Sequence, residues 1–175
     1  MATIPTMRIH ATDEVFVRAT RADVHAYLAD PGGYGAWWPG ARSRGSPAGA
    51  WLELARATPL RPQRLHLAVT GERRDLGVAF RLQGDAVGKA EWYYLDEPDG
   101  TRVTWLIDAS ATTRRAQRWL AAHRAAVRRG QRALKDLLES GRPVGADPDP
   151  ALLARQDAAI AAFEAGVERY LKRRR

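Results

Sequence analysis

The chain has 175 residues, enough for one sizeable core with an appendage and too few for two ordinary domains. It has no cysteine, which excludes disulfides, thiolate metal sites and a cysteine nucleophile, and it has no apolar run of about 18 residues fit to cross a bilayer. The net charge of +8 lies wholly toward the C-terminus: residues 1–113 carry 13 Lys and Arg against 13 Asp and Glu, residues 114–175 carry 15 against 7, and the pI is near 10.5. Such basicity raises nucleic acid as a partner, with the solvated faces of helices as the plainer explanation. The first residues lack the apolar region of a signal peptide, so a cytoplasmic protein without membrane insertion is expected.

Met7 to Arg18 alternates loosely and ends in Val15-Phe16-Val17, the pattern of a strand with one covered face. Thr20 stands three residues before Asp23, a capping box that predicts a short helix to about Ala29, stopped by Asp30-Pro31-Gly32-Gly33. The aromatic, Gly-broken segment from Tyr34 to Gly40 reads as a second small helix and a loop, and Arg44 to Gly49 as a continuation of that loop. Strand-like runs follow at Trp51 to Arg56, Arg64 to Thr70, Leu76 to Gln83, Val87 to Leu95 and Thr101 to Ala109; Asp96 to Gly100 joins the last two as a hairpin. The sum is six or seven antiparallel strands.

Thr112 or Thr113 is placed to cap a long helix ending near Glu139, about 26 residues and roughly 40 Å in length. Trp119, His123, Val127, Gly130 and Leu134 share one arc of it, while Arg114, Arg118, Arg124, Arg128, Arg132 and Lys135 fall on the other. The arginines therefore read as its wet side. Residues 142–150 form a linker by composition, and residues 151–175 carry a basic amphipathic helix with Leu153, Ile160, Phe163, Val167 and Tyr170 on one stripe. Its mixed-charge rim suits docking on protein, either residues 1–141 or a second copy in a homodimer, better than lying on a membrane.

This order of elements resembles the START-like helix-grip superfamily, in particular the polyketide cyclase/dehydrase and lipid-transport group. The resemblance rests on Ala19-Thr20-Arg21-Ala22-Asp23-Val24 with Leu28-Ala29-Asp30, on Tyr34 with Trp37-Trp38-Pro39-Gly40, on Gly88-Lys89-Ala90-Glu91-Trp92 with Asp99 to Trp105, and on Leu134-Lys135. It covers about residues 7–140. It implies an α+β domain over residues 1–141, a curved antiparallel sheet around a long C-terminal helix, with a cavity between them. Carriers, receptors, cyclases and hydratases share that fold, so the resemblance leaves the function open.

Within such a fold the pocket candidates follow from alternation. If Val103 faces inward, so do Trp105 and Ile107, with Trp92 and Tyr94 on the preceding strand and Phe80 beyond; any of these also serves as plain core. Glu91, Asp108, Arg81 and His66 fall out of phase, on the outer face. Trp37 and Trp38 suit a lid at the open end of the sheet. His123 lies near the centre of the apolar arc, either as a polar hook in the pocket or as a structural histidine bonded to backbone or water. Gly130 on the same face costs about 1 kcal/mol against Ala in a helix interior, so space is wanted there, for a ligand or for a bulky strand residue such as Trp92. His10 and His25 show no pairing with another ligand, and no H-x-x-x-H, phosphate-loop or nucleophile-elbow motif is present, so neither metal nor cofactor is expected. Three functions stand in order of preference: binding of a small hydrophobic or aromatic metabolite or lipid by a carrier or sensor; a cyclase/dehydratase-like enzyme in which His123, with Tyr94, moves protons; and a nucleic-acid or ribosome-associated module using the Arg-rich helices.

Overall fold

The computed structural model describes residues 7–55, 61–73, 75–111 and 115–140, with Ala154, Ala158, Arg169 and Lys172 beyond them. The expected linker 142–150, nearly all of the last helix, and the caps Thr112 and Thr113 lie outside the described residues. Among the described residues the strands are β1 (Met7–Val17), β2 (Ala41–Ser46), β3 (Gly49–Leu54), β4 (Gln63–Arg73), β5 (Gly77–Gly84), β6 (Ala86–Glu97) and β7 (Gly100–Ala111); the helices are α1 (Arg21–Leu28), α2 (Tyr34–Trp37) and α3 (Ala116–Glu139). They build one antiparallel sheet in the order β1-β7-β6-β5-β4-β3-β2. β2 to β7 form a meander; β1 returns to pair with β7, and α3 lies against it as the grip helix of an α+β fold.

Local chemistry accounts for the elements. The Asp23 amide donates to Thr20 Oγ1 at 3.2 Å, and the Thr20 amide donates back to the Asp23 carboxylate, the capping box that starts α1. α1 ends at Leu28, and Asp30, whose Oδ1 accepts from the Gly32 amide, caps a 3-10 turn over Pro31–Gly33. β6 and β7 join across Pro98 and Asp99, the shortest hairpin connection. β2 corrects the expected loop: Ala-Arg-Ser-Arg-Gly-Ser pairs with β3 from Ala41↔Leu54 to Ser46↔Gly49. Its residues are weak strand formers; a short, polar strand at a sheet edge resists pairing with another chain, so propensity and position conflict there.

The two edges are closed differently. Ser43 of β2 donates to the Gly32 carbonyl (2.6 Å) and accepts from the Gly35 amide (2.8 Å), tying that edge to the α1–α2 connection. The β1 edge is covered by side chains of α3: Gln131 Nε2 donates to the Asp13 carbonyl (2.8 Å), Lys135 Nζ to the Phe16 carbonyl (3.0 Å), and Glu139 Oε1 accepts from the Arg18 amide (2.8 Å).

Alternation sorts the sheet faces as expected. Val103, Trp105, Ile107, Trp92, Tyr94 and Phe80 are buried beneath α3. On the outer face, Asp108 pairs with Arg8 (3.1 Å), Glu91 with Arg73, and the His66 ring lies tilted against Trp51 at 5.1 Å.

Candidate functional site

The inner face of the sheet presents rows of side chains to α3. Trp105 lies opposite Trp92, Val103 opposite Tyr94, and Ile107 opposite Ala90, which in turn faces Phe80. From above, α3 contributes Trp119, His123, Val127 and Gly130, all buried. The rings run as a chain across the interior: Trp119 stacks on His123 (4.9 Å, 9°), His123 stands 6.0 Å from Trp105, Trp105 is 4.7 Å from Trp92 and 6.1 Å from Phe80, and Trp92 is 6.2 Å from Trp38. Nine of the ten expected lining residues, Trp37 excepted, are thus buried around one aromatic strip.

Trp38 corrects the expectation of a lid. It is 3% exposed, and its indole N–H donates to the Ala126 carbonyl at 2.9 Å, which pins it beneath α3. Trp37 is only half-buried and stacks on it (5.7 Å). The reason lies in Gly130. A Cβ there would come within 2.6 Å of Trp38 Cδ2 and 2.7 Å of its Nε1, so the space left by the glycine is filled by the Trp38 indole, neither by a ligand nor by Trp92. Close approach of an aromatic ring to the helix backbone offsets the cost of glycine in a helix interior.

His123 is 1% exposed and is the polar centre of the strip. Its Nε2 accepts from Trp105 Nε1–H at 3.1 Å, so in the neutral ring the hydrogen is on Nδ1, and Nδ1 has no hydrogen-bond partner among the described residues. Burial pushes its pKa down to about 4, against the opposing pull of Asp13, so the ring is neutral near pH 7. Two further buried polar atoms of this region lack a partner among the described residues: the indole N–H of Trp119 and the hydroxyl of Tyr94. Leaving such a group unpaired costs about 1–3 kcal/mol. Burial holds the Tyr94 phenol far above its ordinary pKa, with Glu72 adding to the effect, so it stays protonated. The Tyr94 hydroxyl and the His123 imidazole form no hydrogen bond with each other; the ring beside Tyr94 is that of His25, 5.8 Å away and edge-on.

Sequence reasoning missed three groups. The first is Asp13, an inward position of β1 with a side chain only 3% exposed, which receives both Arg124 (Nε to Oδ2, 3.0 Å) and Arg128 (Nε to Oδ1, 2.8 Å). These two arginines are therefore not simply the wet side of α3. The second is Gln63, whose Nε2 donates to the Trp119 carbonyl (2.7 Å) while its Oε1 is left unpartnered. The third is the pair His25–Glu72, 2.8 Å apart, which corrects the reading of His25 as isolated. A β-bulge between Val69 and Gly71 shifts the register so that Glu72 faces Val78, on the inner side of the sheet; strict alternation along β4 does not reveal it. Among the described residues no three His, Asp or Glu side chains stand close enough to share a metal ion, and no helix is long and apolar enough to cross a membrane.

A curved antiparallel sheet closed over a long helix with an aromatic interior defines a helix-grip fold. The chain belongs to the polyketide cyclase/dehydrase and lipid-transport family, whose model matches residues 8–139. No curated protein matches it significantly. Among solved structures it is similar to a START superfamily protein from Mycobacterium smegmatis (16% identity, 74% of this chain and 97% of the other, TM-score 0.61) and to the Zhui aromatase/cyclase from Streptomyces sp. R1128 (16%, 79% and 99%, 0.58). It is also similar to the Aha1 dimer from Colwellia psychrerythraea (14%, 77% and 99%, 0.56). At these identities the likeness is one of fold.

Proposed function

We propose that this protein binds a small apolar or aromatic molecule between the inner sheet face and α3, acting as a carrier or sensor with no covalent chemistry. The observation that carries this reading is the state of His123. Its lone pair on Nε2 is taken by the Trp105 indole, and what it offers inward is a single N–H on a neutral ring. A buried donor amid aromatic rings suits the carbonyl or ether oxygen of an otherwise apolar guest. Proton abstraction by His123, which the cyclase reading needs, would require it to accept a proton on the nitrogen already bonded to Trp105, in a setting where burial disfavours the charge. The nucleic-acid reading loses support because Arg124 and Arg128 are engaged by Asp13, Arg129 by the Ala55 carbonyl (2.9 Å) and Lys135 by Glu139 (2.6 Å).

The test is native mass spectrometry of the purified protein, followed by denaturing extraction and identification of any released small molecule. A co-purified apolar or aromatic compound whose retention drops in His123→Phe supports the reading. Retention unchanged by His123→Phe removes His123 from it. Turnover of a polyketide-like substrate that His123→Ala abolishes replaces it with the cyclase reading.

A further inference from the structure

From a second group of buried polar atoms, away from His123, we infer a hydroxyl-specific anchor formed by Tyr94 and His25, with Glu72 setting the tautomer of the histidine. The inference rests on the binding reading above and names a chemical feature of the guest. His25, on α1, is 8% exposed and Tyr94, on β6, 2% exposed; their rings meet edge-on at 5.8 Å. Among the described residues neither the Tyr94 hydroxyl nor His25 Nδ1 has a hydrogen-bond partner. The Tyr34 hydroxyl, by contrast, donates to the Leu28 carbonyl at 2.6 Å.

The chemistry of the two free atoms is complementary. His25 Nε2 lies 2.8 Å from Glu72 Oε1, and a carboxylate oxygen only accepts, so Nε2 carries the hydrogen and Nδ1 of the neutral ring is an acceptor. The Tyr94 phenol stays protonated and is a donor. A hydroxyl uses both through a single oxygen, accepting from Tyr94 and donating to His25. An ether or ketone engages Tyr94 alone. A carboxylate meets the Nδ1 lone pair with no cation to balance it, because Arg21 on the same helix is committed to Asp96 at 2.9 Å, both side chains nearly buried. The β4 bulge serves this arrangement by turning Glu72 inward to reach α1.

The experiment uses the full chain and two matched pairs of probes, 2-naphthol with 2-methoxynaphthalene and 1-dodecanol with its methyl ether, titrated by tryptophan fluorescence. The alcohol of at least one pair should bind about tenfold more tightly than its ether; His25→Phe should reduce this preference to about twofold or less while the ether affinity is retained, and Tyr94→Phe should weaken alcohol and ether alike, by about fivefold. Circular dichroism and melting temperature control for folding, and Tyr94→Phe, which deletes one unpaired oxygen, should not melt lower than the wild type. Equal affinity for alcohol and ether, as expected of a site that holds buried water only, overturns the anchor and leaves the binding reading standing. A preference that survives His25→Phe, or ether binding that Tyr94→Phe leaves unchanged, overturns it equally. Failure of all four probes to bind overturns both.

Discussion

The seam between β1 and α3 and the aromatic strip beside it are made from the same two elements, yet they treat polar atoms in opposite ways. At the seam, the Asp13 carboxylate is met by Arg124 and Arg128, its carbonyl by Gln131, the Phe16 carbonyl by Lys135 and the Arg18 amide by Glu139. A turn of helix away, His123 Nδ1 and the indole N–H of Trp119 have no partner among the described residues, and across the strip neither does the Tyr94 hydroxyl. On the proposed reading a guest molecule completes the unpaired donors of the strip, whereas the seam is complete without one.

The comparison breaks most sharply at Asp13. Replacing both Arg124 and Arg128 with Ala leaves a buried carboxylate without its partners and should cost about 3–5 kcal/mol in urea unfolding; a loss below about 1 kcal/mol would mean that the seam holds little of the fold together. Acid should act next, through His123. Its folded pKa of about 4 lies below the ordinary 6.5, so the unfolded chain binds a proton that the folded chain refuses. Its contribution to stability is therefore intact above pH 6.5 and declines as pH falls toward 4, by about 3 kcal/mol in all. His123→Phe should flatten this part of the stability–pH curve relative to the wild type, and an unchanged curve would show that the imidazole is not buried neutral.

Gly130→Ala comes third. The added methyl group collides with the Trp38 indole, and overpacking of this kind costs about 1–3 kcal/mol, partly offset by the better helix propensity of Ala. Pairing it with Trp38→Phe in a double-mutant cycle should recover part of the loss; strict additivity would separate the two residues. Tyr94→Phe is the smallest effect. In the absence of a guest it should leave stability unchanged or raise it by up to about 1 kcal/mol, since the lost hydroxyl has no partner, whereas loss of a bonded hydroxyl would lower it.

Much of the architecture is determined by periodicity alone. Alternation along β6 and β7 places Trp92, Tyr94, Val103, Trp105 and Ile107 on one face, the 3.6-residue period gathers Trp119, His123, Val127 and Gly130 on one arc of α3, and Thr20 with Asp23 announces α1. These are short-range rules, and burial of an apolar face enforces them wherever the face ends up. What fills the space at Gly130, which carboxylate receives Arg124 and Arg128, and which residue orients His25 depend on contacts separated by 88 residues for Trp38 with Ala126, 111 for Arg124 with Asp13 and 47 for His25 with Glu72. Only the tertiary structure decides them, because a one-residue bulge in β4 and the lateral position of α3 against β1 leave no periodic trace. The choice between a lid and a core for Trp38 was settled in the same way, by an indole N–H that found its carbonyl on a helix far along the chain.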